Sequence, residues 1–151
     1  MPKIAVPFAA LIEAEERISE TYRELSEKAA QSNIRYFLRL FLNGHQAVIE
    51  KLKAYGKHEV VFPLSEADKI ASIWATQHLV PDDSVDLNSL QSVLLFIAKT
   101  EEQSLRDFDD LMREEQDESM LEYLGKIMEE KLIITTKADR LYHDMIESKI
   151  S

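Results

Sequence analysis

Four ionisable residues, Glu15, His45, Glu101 and Glu130, stand where helical spacing calls for an apolar side chain. Glu15 interrupts the stripe Phe8, Leu11, Ile12, Ile18, Ser19, Tyr22, Leu25 and Ala29. His45 falls among Ile34, Leu38, Phe41, Leu42, Val48, Ile49 and Leu52. Glu101 falls among Leu90, Val93, Leu94, Ile97, Leu105, Phe108 and Leu111, and Glu130 among Leu124, Ile127, Ile134, Ala138, Leu141 and Met145. Three carboxylates and an imidazole in one low-dielectric core would repel one another at a cost of several kcal/mol, relieved by protonation or by a cation. Oxygen donors with one imidazole suit iron, manganese or zinc. Facing Glu and His on bundle helices are how carboxylate-bridged metal sites are built. The sequence assigns no catalytic residue.

Those four residues require four long helices to position them. The first is expected from Pro7 to about Ala30, with proline in the first turn, and the second from Ser32 or Asn33 to a glycine cap at Gly56. The third starts near Asp86–Asn88, and the fourth follows a capping box of Ser119 with Glu122. Between the second and third helices, Val60-Val61-Phe62-Pro63 reads as extended, and a short helix runs from Ser65 to about Gln77. Roughly thirty residues suit a crossover rather than a tight hairpin, which makes helices two and three parallel. The expected fold is all-α, a four-helix bundle in one domain spanning 1–151.

Residues at equal distance from a tight turn lie opposite each other in an antiparallel hairpin. The midpoint of 15 and 45 is 30, and that of 101 and 130 lies between 115 and 116, both in expected turns. Each pair therefore shares a layer to within about one helical turn of roughly 5 Å. The chain also repeats itself. Glu101-Glu102, Phe108, Asp110 and Leu111 follow the spacing of Glu15-Glu16, Tyr22, Glu24 and Leu25, as two related hairpins would.

Composition narrows the function classes. A net charge of −10 argues against nucleic acid, which needs clustered Lys and Arg. With Cys 0, disulfides, thiolate metal sites and cysteine nucleophiles are excluded. No apolar run approaches the roughly 18 residues of a membrane span, and acidic residues arrive too early for a signal peptide. A cytoplasmic location is the expectation.

At these motifs the chain resembles the rubrerythrin and ferritin-like superfamily, in the small group without a rubredoxin domain, over about residues 8–148. The resemblance implies a Glu on helices one and three followed seven residues later by an aromatic, as in Glu15…Tyr22 and Glu101…Phe108. It also implies Glu-x-x-His on helices two and four. Here Leu42-Asn43-Gly44-His45 keeps only the histidine, and Glu130-Lys131-Leu132-Ile133 keeps only the glutamate. By that resemblance Glu15, His45 and Glu130 would serve one metal ion. Glu101, with the absent Glu and His, would serve the other, which leaves it as a weak fourth ligand or a group behind the ligands. The resemblance thus implies that the second metal position is largely lost, which argues against two-metal dioxygen or peroxide chemistry.

Two functions follow. One is a metal-binding ferritin-like protein holding one ion in place of two, with residual oxidoreductase or iron-handling activity. The other is a non-enzymatic bundle, a homodimer or partner-binding module, with Val60, Val61, Phe62 and Trp74 as contact surface. Among single residues, Tyr22 is expected in the core with its hydroxyl free to hold a carboxylate across the bundle. Gly44 offers either a close helix approach or a local bulge. The edge of the fourth stripe also allows Glu130 to face outward. His58, His78 and His143 form no site by spacing.

Overall fold

The computed structural model describes residues 3–4, 6–56, 62–63, 85–114 and 118–150. Four helices dominate these residues: α1 (Val6–Lys28), α2 (Ser32–Gly56), α3 (Leu90–Glu114) and α4 (Glu118–Ile150). The fold class is all-α, as the scarcity of Gly and Pro leads one to expect. One two-residue antiparallel pair accompanies the helices, β1 (Lys3–Ile4) against β2 (Phe62–Pro63), so the extended reading of Phe62-Pro63 is observed. The expected short helix from Ser65, and Val60, Val61 and Trp74, lie outside the described residues. No helix among the described residues is long and apolar enough to cross a membrane.

The α1–α2 turn is closed by a side chain rather than by glycine. The Arg35 guanidinium donates to the carbonyls of Ala29 and Ala30 at 3.1 and 3.0 Å, satisfying acceptors that the end of a helix leaves without partners. Arg35 N–H donates to Gln31 O, so α2 starts one residue earlier than a cap at Ser32 would place it. Gly56 ends α2 without the left-handed backbone of a glycine cap. Ser89 caps α3, its Oγ accepting from the Ser92 N–H at 3.2 Å. Helix α4 begins at Glu118, which puts Ser119 inside the first turn instead of at the capping position.

Contacts fix the helix directions. Glu15 meets His45 across the α1–α2 hairpin, and Ser104 meets Lys131 across α3–α4, so each hairpin is antiparallel. Gln31 Nε2 donates to Asn88 O, and thirteen or fourteen residues farther along His45 meets Glu101. Helices α2 and α3 therefore run in the same sense.

The core divides into two apolar clusters. At one end Leu11, Ala14, Val48, Leu52, Phe108, Leu124 and Ile127 pack together. At the other, Ile34, Leu38, Phe41, Val93, Ile97 and Ala138 belong to a larger cluster that also holds Tyr22. All four helices feed both ends. Between the clusters in chain position lie the buried polar residues Glu15, His45, Glu101, Ser104, Lys131 and Thr135. Gly44 resolves to the close-approach reading: α2 is unbroken there, and a Cβ on Gly44 would stand 3.3 Å from Ile134 Cδ1.

Candidate functional site

The middle layer is a chain of ion pairs and hydrogen bonds that begins at Ser104 and ends at Tyr22. The Lys131 ammonium donates to Ser104 Oγ at 2.5 Å and to Glu15 Oε1. The other Glu15 oxygen, Oε2, accepts from His45 Nδ1. His45 Nε2 donates to Glu101 Oε1 and Oε2 at 2.6 and 2.9 Å. Tyr22 completes the chain, its hydroxyl donating to Glu101 Oε1 at 2.7 Å. Every charged member is 2% exposed or less. The expectation that Tyr22 holds a carboxylate across the bundle is met.

Helical spacing explains how these groups meet. Glu15 and Tyr22 are seven residues apart and share the inward face of α1. Glu101, Ser104 and Phe108 share that of α3, and Lys131 and Thr135 that of α4. Thr135 turns its hydroxyl back to the Lys131 carbonyl at 2.9 Å, so its polar atom is satisfied within the layer. Aromatic rings line the network. The Tyr22 ring lies 5.8 Å from that of His45 at 52°, and Lys131 Nζ stands 5.6 Å from the centroid of Phe108.

Electrostatics set the protonation states. Burial alone would raise the Glu15 pKa, but the Lys131 and His45 charges, and the hydrogen bonds they donate, lower it from 4.5 to about 2. Burial alone would lower that of His45, but Glu101 and Glu15 on either side raise it from 6.5 to about 9. A neutral imidazole carries one N–H and one lone pair, so either tautomer would turn a lone pair on a carboxylate. Only imidazolium donates both ways. Burial and the neighbouring Glu101 push the Tyr22 phenol well above 10, so it stays a donor. Two carboxylates, one imidazolium and one ammonium leave the layer with no net charge.

Three of the four residues expected in the core, Glu15, His45 and Glu101, do meet there. Glu130 does not. Its side chain is 38% exposed and accepts from Lys51 at the surface. The position expected for Glu130 belongs to its neighbour: Leu124, Ile127, Lys131 and Ala138 are buried, at spacings of three, four and seven. The register agrees, because Glu101 lies opposite Thr135, whose Oγ1 is 3.4 Å from the Glu101 carbonyl, and not opposite residue 130. Both spacings from Ile127 are helical, and a lysine is ordinarily the worse candidate for a core. One signal was available. Two carboxylates with a single imidazole need a further cation, and Lys131 is the cation next to the position expected for Glu130. Ser104 gave no such signal.

The residues present do not fit the metal ion that the motifs suggest. The two His45 nitrogens point to carboxylates on opposite sides, so neither faces a position that Glu15 and Glu101 could share as ligands. The remaining Glu15 oxygen is covered by Lys131. Among the described residues no group of three or more His, Asp or Glu converges as a ligand cage. What the arrangement can do is neutralise itself. No protein-family model, curated protein or solved structure matches the chain.

Proposed function

We propose that the chain is a ferritin-like bundle, similar to rubrerythrins without a rubredoxin domain, that works as a non-enzymatic self-associating module. Parallel α2 and α3 support the topology, since they require a connection returning along the bundle, as a ferritin-like crossover does. The glutamates on α1 and α3, each followed at seven residues by a buried aromatic, support it too.

The observation that carries self-association is the outer face of α4. Leu132 and Ile133 are 52% and 64% exposed, and with Thr136, Lys137, Arg140 and Leu141 they line a largely apolar groove. A second copy of the chain suits this face. In a two-fold antiparallel pairing centred on Ile133, Lys137 of one copy falls opposite Glu129 of the other, twice. The pairing covers the apolar pair and sets Lys137 against Glu129, while Arg140 falls opposite Lys126 at the ends of the contact. Light scattering of the full chain should give a dimer mass, and Ile133→Asp should give a monomer with unchanged helical circular dichroism. A wild-type monomer at the highest soluble concentration would refute the reading.

A further inference from the structure

We infer that Lys131 is a resident cation: its ammonium holds the place a divalent ion would take beside Glu15, and the layer is a divalent-cation site closed by that one side chain. The surroundings are those of a cation position. Lys131 is 2% exposed, bonded to a carboxylate oxygen and a hydroxyl, and set against the face of Phe108. A lysine brings one charge and three donors but no lone pair. Its partners must therefore be acceptors, and acceptors are what a hard cation requires. With the ammonium removed, Glu15 Oε1 and Ser104 Oγ are left facing the vacated volume. The damaged Glu-x-x-His motifs and the buried lysine then have one explanation, exchange of a bound ion for a tethered one. This inference concerns the interior alone and holds or fails independently of self-association.

Manganese(II) alone is the probe, titrated into the full chain and followed by calorimetry and by the thermal midpoint. Wild type should take up no interior Mn²⁺, its midpoint unmoved. Lys131→Ala should gain one equivalent bound at least about tenfold more tightly than anything in wild type, raising the midpoint until a chelator is added. Adding Glu15→Gln should abolish the gain, which separates the interior ion from uptake by acidic surface. Lys131→Gln keeps hydrogen-bonding capacity toward Ser104 while losing the charge, and it should behave like Lys131→Ala. If Lys131→Ala folds only when Mn²⁺ is present, the inference is supported. A folded Lys131→Gln indifferent to Mn²⁺ would overturn it. So would a wild-type equivalent of Mn²⁺ that His45→Ala removes.

Discussion

In the α1–α2 hairpin the aromatic seven residues beyond the buried glutamate is Tyr22; in the α3–α4 hairpin it is Phe108. Both rings are fully buried, but only Tyr22 reaches a charge of the other hairpin, whereas Phe108 lies against one of its own. Tyr22 donates its hydroxyl to Glu101. Phe108 has no hydroxyl, and the group it lies against is Lys131, which serves Glu15 instead. Each carboxylate thus receives a donor besides the shared imidazolium, but one donor is a neutral phenol and the other a full cation. Two matching halves of sequence give an asymmetric layer. The asymmetry is what brings its charge to zero.

The cationic side should be the costlier to break. Lys131→Met leaves Glu15 buried with half its compensation, and unfolding in urea should show a loss of about 3–5 kcal/mol. Phe108→Tyr on that background tests the comparison directly. If the two aromatic positions are equivalent, the new hydroxyl reaches Glu15 and returns about 1 kcal/mol, whereas no recovery would mean that the halves match in sequence only. On the neutral side, Tyr22→Phe removes one buried donor and leaves His45 on Glu101. The expected loss by the same measurement is smaller, about 1–3 kcal/mol.

The smallest effect belongs to the other Lys–Glu pair, Lys51 with Glu130, which also joins α2 to α4 but lies at the surface. Glu130→Ala should change stability by less than about 1 kcal/mol, and that change should shrink in high salt. A loss as large as that of Lys131→Met would restore Glu130 to the interior and undo the register described above.

These pairs also show what the sequence could disclose. The helices, the two antiparallel hairpins and the Glu15–His45 layer were legible because apolar periodicity and equal distance from a turn are both local arithmetic. The fourth helix was harder, because residues 130 and 131 stand three and four positions after Ile127 and both spacings reach the same face. Both residues are charged, so hydrophobicity does not separate them, and the motif resemblance points to the glutamate. Only the cross-bundle partners, Glu15 and Ser104, make Lys131 the better core residue, and they come from other helices. The exposure of Ile133 follows from the same shift of one residue, since two positions beyond an inward Lys131 it lies across the helix from the core.

The central claim, that the core neutralises itself with its own side chains, is tested most directly by titrating the His45 ring nitrogens by NMR. For a group whose pKa rises on folding, the stabilisation is fully present below the unfolded value and lost as pH climbs through the folded one. For His45 that window runs from 6.5 to about 9. Both nitrogens should remain protonated at neutral pH and release a proton near pH 9, with unfolding free energy falling across the same range in wild type but not in His45→Gln. A neutral imidazole at pH 7, in a single tautomer and titrating at or below 6.5, would contradict the account.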